Sequence, residues 1–232
     1  MSRLARCLTL LALLAPAGVR AEDPVPIEEE PGHRLAFQNG HVRFFDVRLV
    51  PGYRSLMHVH HHDGIFVNIG SAATEAQDWG HDAVKRAGRT PGDSYFIGYA
   101  TRPKAHRVSN VDTTTYHVTD TEILRDCGGR PIPDDALAGP VIVDNARVRV
   151  TRIELDPGAS TKLHGPCGML VAVTPGLALL ATPGGAQELS LDAAGFAWRD
   201  HTAPMTLTNT GATRLHFVDI LVKSRLPTPP TV

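Results

Sequence analysis

Residues 39–124 and 145–223 read as two copies of one unit, and that duplication constrains the fold more than any other feature of the chain. NGHVRFFDVRLVPG (39–52) aligns with NARVRVTRIELDPG (145–158). Gly52 leads in six steps to His58, and Gly158 leads in six steps to His164. Asn110 followed by Tyr116-His117-Val118 matches Asn209 followed by Leu215-His216-Phe217. The copies differ in between: this alignment sets His58, His60 and His106 of the first against His164, Pro166 and Met205 of the second. A duplicated fold with unequal chemistry implies one working unit and one supporting unit.

Each unit is made of short alternating runs. Val42, Phe44 and Val47 stand among Arg43, Asp46 and Arg48, and Ile65, Val67 and Ile69 alternate with Phe66 and Asn68. Turn signals recur at Pro51-Gly52, Asp63-Gly64, Pro91-Gly92-Asp93, Pro157-Gly158 and Pro183-Gly184-Gly185. Short strands at this spacing predict an all-β sandwich or barrel. The expected division is a first barrel at 35–125, a Gly- and Pro-rich linker at 126–140 and a second barrel at 141–225. Glu22–Pro31 reads as a loose acidic leader.

Arg3 and Arg6, the apolar run Leu8–Ala15 and Val19-Arg20-Ala21 match an export signal over residues 1–21, giving a periplasmic or secreted protein. No later run reaches the ~18 apolar residues of a membrane span, so no membrane association is expected after cleavage. The net charge of −1 and the lack of a basic run give no sign of nucleic-acid binding. Beyond Cys7 the chain has Cys127 and Cys167. In an oxidising compartment they are read either as a disulfide or as a free Cys167 beside the second pocket.

The chemistry lies in the histidines. On a strand, residues i and i+2 point the same way, so His58 and His60 can aim at one point. If Ile65, Val67 and Ile69 face inward, Asp63 does so too by parity. His62 shares the parity of His58 and His60. His106 comes just before the closing strand. A His-rich set with open positions suits a divalent ion: Fe, Mn, Zn, Ni or Cu. In the second unit Met205 aligns with His106 and Met169 with Asp63, so that unit is expected to lack a comparable site. His41, His81, His117, His216, Trp79 and Trp198 are read as structural.

With these residues in view, the chain resembles the cupin superfamily in its tandem, two-barrel form. The resemblance rests on Gly52, five residues, His58-Val59-His60, then Asp63, six residues and Gly70, and on His106, three residues and Asn110. The chain departs from the pattern in having Asp where cupins have Glu and in a shorter gap after the second His. The resemblance implies two double-stranded β-helix (jelly-roll) barrels in tandem, with His58, His60 and His106 as metal ligands. Asp63 takes the fourth slot, as a ligand, a holder of metal-bound water or a support for His60. It also implies a small-molecule substrate or ligand, and either oxygenase or lyase chemistry or non-catalytic binding, in a monomer or homodimer.

Overall fold

The alternation seen in the sequence becomes strands with two buried faces. In the computed structural model, residues 23–128, 138–200 and 203–223 are described; the expected export signal at 1–21, part of the expected linker and the C-terminal tail lie outside them. The first unit contains β1 (Val25–Pro26), β2 (His33–Gln38), β3 (Val42–Leu49), β4 (His58–His60), β5 (Asp63–Asn68), β6 (Thr74–Asp78), β7 (Ala83–Arg86), β8 (Ser94–Ile97), β9 (Lys104–Asn110) and β10 (Tyr116–Ile123). The second contains β11 (Val141–Asp144), β12 (Val148–Leu155), β13 (Ser160–Leu163), β14 (Gly168–Ala172), β15 (Gly176–Thr182), β16 (Gly185–Leu191), β17 (Phe196–Arg199), β18 (Met205–Asn209) and β19 (Leu215–Val222).

The sheet orders repeat. The first unit pairs β2-β3-β10-β5-β8 and β1-β4-β9-β6-β7; the second pairs β11-β12-β19-β14-β17 and β13-β18-β15-β16. Apart from β1 the two are the same two-sheet jelly roll. The same devices fix both copies: Gly52 and Gly158 each turn the chain at φ 77°, which only glycine adopts cheaply. Asn110 Nδ2 donates to the Leu49 and Thr114 carbonyls, as Asn209 Nδ2 does to those of Leu155 and Thr213. These bonds satisfy backbone acceptors where a strand ends, which explains why the asparagine recurs.

Each unit has its own core, and a third core joins them. Phe45, Val47, Leu49, Phe66 and Val118 fill the first barrel. Ile153, Leu155, Leu170, Leu207 and Phe217 fill the second. Val42, Phe44, Ile65, Val67 and Ile69 on the other face of the first unit pack against Val148, Val150, Met169, Val171, Val218 and Ile220. Each such side chain contributes roughly 1.5–3 kcal/mol on full burial, so the barrels hold together as one body. Cys127 and Cys167 form a disulfide within this joint. Trp198 stacks near Phe37 and His41 there, a packing role.

Two expectations change. The acidic leader is part of the fold: β1 pairs in parallel with β4, and Ile27 and Glu30 are buried. And Ile65, Val67 and Ile69 face the second unit rather than the barrel interior, so the parity argument holds but the face is reversed. Asp63 goes with them.

Candidate metal centre

Within the first barrel, β4 and β9 pair so that His58 lies directly opposite His106. A bulge makes this possible. Arg54 bridges Ser109, and four residues later His58 meets His106, three residues before Ser109, so one extra residue is inserted between. In the second barrel Ser160 meets Thr208 and Leu163 meets Met205 with no insertion. Leu163, not His164, therefore stands at the position of His58, and the second barrel keeps none of the three histidines in place. By the same registers the counterpart of Asp63 is Cys167 rather than Met169, which faces the joint between the units.

One nitrogen from each of His58, His60 and His106 lies within 4.8 Å of the others. His58 Nδ1 is 3.0 Å from the Leu56 carbonyl, which makes it the donor and leaves Nε2 as the ligating atom. His58 Nε2 is buried with no hydrogen-bond partner. His60 Nε2 and His106 Nε2 are 3.1 Å apart. Burial and the neighbouring histidines push the pKa of His58 and of His60 down to about 3, and that of His106 well below its usual value. The three rings are neutral at pH 7, the form that ligates. An orphaned buried nitrogen and neutral imidazoles on one point fit a divalent ion.

Asp63 is not brought to this cluster. Its Oδ2 accepts from Arg147 Nε at 3.0 Å and its Oδ1 from the Ala100 N–H at 3.0 Å. It ties the first unit to the second. His62 lies past the end of β4, half-buried, outside the cluster. His117 has the structural role expected of it, with Nε2 2.8 Å from Asp46 Oδ1.

The carboxylates near the centre come from β10. Val118, Asp120 and Glu122 share the inward face. Asp120 Oδ2 is 3.5 Å and Glu122 Oε1 3.8 Å from His60 Nδ1, on the side of the ring away from His106. Arg43 holds Glu122 through Nε at 2.8 Å. Neither oxygen of the fully buried Asp120 has a hydrogen-bond partner. Burial and the Glu122 charge push its pKa well up. Asp120 fits because Gly64 stands beside it: a Cβ there would come within 2.9 Å of Oδ1. The signal for Asp120 and Glu122 was in the sequence, since Val118 sets the parity of β10. His33 was also missed. Its ring lies 4.4 Å from that of His58, and its Nδ1 is hydrogen-bonded to Glu30.

A cavity of about 90 Å³ adjoins the cluster, lined by His33, His60, His106, Asn68, Tyr95 and Tyr99 among others. One water needs about 10–15 Å³ by this kind of measure, so there is room for a small molecule.

No family model and no curated protein matches the sequence. Solved structures do match. AerE from Microcystis aeruginosa is 13% identical, aligned over 84% of this chain and 99% of its own, with a TM-score of 0.58. Oxalate decarboxylase from Bacillus subtilis, a protein with Mn(II) centres, is 13% identical over 81% of this chain and 70% of its own, with a TM-score of 0.54. A cupin domain from Bordetella pertussis is 31% identical over 37% of this chain and 91% of its own, with a TM-score of 0.34. These likenesses show the fold: the chain has the two-barrel cupin fold.

Proposed function

We propose that His58, His60 and His106 hold one divalent metal ion and that the protein is a metal-dependent enzyme acting on a small molecule, with oxygenase or lyase chemistry. The observation behind this reading is the set of three converging imidazoles, two buried and one half-buried, beside a partly enclosed cavity. An ion held this way supplies Lewis acidity, with positions left for substrate or water. The chain supplies the rest. The Leu56 carbonyl fixes the ring of His58. Phe66, Val108 and Val118 give the cavity apolar walls. Manganese, found in one fold neighbour, is the first ion to test, with iron, zinc, nickel and copper beside it.

Among the described residues no carboxylate lines the cavity. Proton transfer to a substrate there falls to His33 or to the tyrosines. The same fact favours the competing reading, a non-catalytic metal- or ligand-binding protein. In both readings the protein is exported, which its basic and apolar N-terminus and its disulfide support. It works as a monomer or homodimer.

Metal analysis of untagged protein tests the proposal, beside a His58→Ala/His106→Ala variant. The expected result is about one ion per chain in the wild type and none in a variant that keeps its disulfide and β-sheet spectrum. Wild-type protein that takes up no ion on reconstitution overturns the reading. Metal without turnover of any small molecule leaves the binding role.

A further inference from the structure

We propose that Arg86 and Arg89 recognise a small carboxylate at the mouth of the first barrel's cavity, so that the substrate is an organic anion. This rests on the reading of that cavity as the active site.

Arg86 and Arg89 are exposed, at the rim of the cavity, and Arg86 ends β7. Arg86 pairs with Thr74 on β6, at the ladder position that Leu189 occupies opposite Ala178 on β15. Leu189 is 5% exposed in the apolar core of the second barrel. The first barrel thus carries a cation where its copy carries a packed leucine. Arg86 and Arg89 both line the cavity that His60 and His106 line. The Arg89 guanidinium sits 4.5 Å from the centroid of the Tyr95 ring. The segment bearing them is clamped: at Gly88 a Cβ would fall 1.6 Å from the Ser71 carbonyl oxygen, so only glycine allows this approach.

Charge gives the ligand class. Among the described residues no acidic side chain pairs with Arg86 or Arg89. Lys104, the other cation of the lining, is bound to Asp78 at 2.8 Å. The lining has no carboxylate of its own, so the cavity's rim presents two guanidinium groups without a carboxylate partner beside the histidines. A guanidinium offers a planar fork of donors that matches a carboxylate in two bonds. The volume of about 90 Å³ limits the anion to a few heavy atoms. Asn68, whose counterpart by register is Ala172, adds a polar group to the same wall.

Calorimetric titration of the full chain with acetate, malonate and succinate tests this. Malonamide and inorganic phosphate serve as controls, on wild type and on Arg86→Leu/Arg89→Leu. Leucine at 86 reproduces the second barrel, and an unchanged β-sheet spectrum confirms the fold. At least one carboxylate should bind the wild type and lose about tenfold or more in affinity in the variant, as for other hydrogen bonds to charged groups. Malonamide should bind neither. Equal carboxylate affinity in both proteins, no arginine-dependent binding by any of the three acids, or a preference for phosphate would each overturn the proposal. The same titration on His58→Ala/His106→Ala separates the two readings. Arginine-dependent binding there supports the anion site even if the metal reading has failed. A protein with one ion per chain but no arginine-dependent binding sinks the anion site alone.

Discussion

Asp120 in the first barrel and Asp219 in the second occupy the same place. Asp120 pairs with Phe66 across β10 and β5, and Asp219 pairs with Leu170 across β19 and β14. What faces them differs. Gly64 pairs with Ile97 in the first barrel, but Gly168 pairs with Arg199 in the second. Arg199 is fully buried and grips both Asp219 oxygens at 2.8 Å, with a further 3.0 Å bond to the His164 carbonyl. The second barrel thus answers its buried carboxylate with a cation of its own. It fills the remaining interior with Leu163, Leu180, Met205 and Leu215, where the first has His58, Ala76, His106 and Tyr116. The first barrel has no arginine at that place and has traded apolar volume for imidazoles and open space. A buried charge must be paired or neutralised, and two copies of one fold have met that demand in two ways: the second with an arginine of its own, the first by holding Asp120 in its neutral form.

The largest effect should come from breaking the built-in pair. Removing one partner of a buried ion pair costs about 3–5 kcal/mol, while replacing both by apolar residues is often neutral. Asp219→Asn should therefore lower the urea midpoint sharply, and Arg199→Ile/Asp219→Leu should recover most of the loss. Asp120→Asn should cost far less, because no arginine depends on it. Equal losses for Asp120→Asn and Asp219→Asn would show that the two carboxylates are not differently compensated.

Acid should separate the barrels next. Folded His58 and His60 titrate at about 3, against 6.5 for the free side chain, because burial disfavours their charged forms. Between these values the unfolded chain binds more protons, so stability rises with pH across that window and is fully present above about 6.5. Metal-free protein should lose stability as pH falls from 7 to 4, by up to about 1.4 kcal/mol per pH unit for each histidine. Replacing His58 and His106 by Leu and Met, the residues of the second barrel, should flatten that slope. Urea unfolding at stepped pH measures it. An unchanged slope would mean that the cluster does not carry the acid sensitivity.

The repeat, the all-β class and the three histidines were legible because each leaves a local mark: a turn glycine at fixed spacing, alternation, an i and i+2 pair. What was not legible depended on register. The bulge between Arg54 and His58 shifts the histidines by one residue, and no spacing in the sequence shows it, so His164 was set against His58 when Leu163 holds that place. Asp63 went wrong for a different reason. Periodicity tells which residues share a face, not which face is inside, and β5 is buried on both. Arg86 and Arg89 carry no mark in the sequence; only the pairing of β7 with β6 brings them to the cavity's rim.

The smallest effect concerns how Asp120 serves the metal centre. A ligating histidine is commonly held by a hydrogen bond from its second ring nitrogen to a carboxylate, and loss of such a partner lowers metal affinity by about 10–100-fold. Asp120 Oδ2, 3.5 Å from His60 Nδ1, is placed for that role once the ring turns slightly towards it. Asp120→Asn keeps the shape and an acceptor oxygen but cannot ionise when a cation binds at His60, so the loss should fall near the lower end, about tenfold. Gly64→Ala should act similarly, since its Cβ would crowd Oδ1 and move the carboxylate. Asp219→Asn, at the matching place in the barrel without the three histidines, should leave metal affinity unchanged. Competition titrations with a chromogenic chelator would read all three. If Asp120→Asn bound metal as tightly as wild type, His60 would need no carboxylate behind it, and the difference between Asp120 and Asp219 would be one of packing alone.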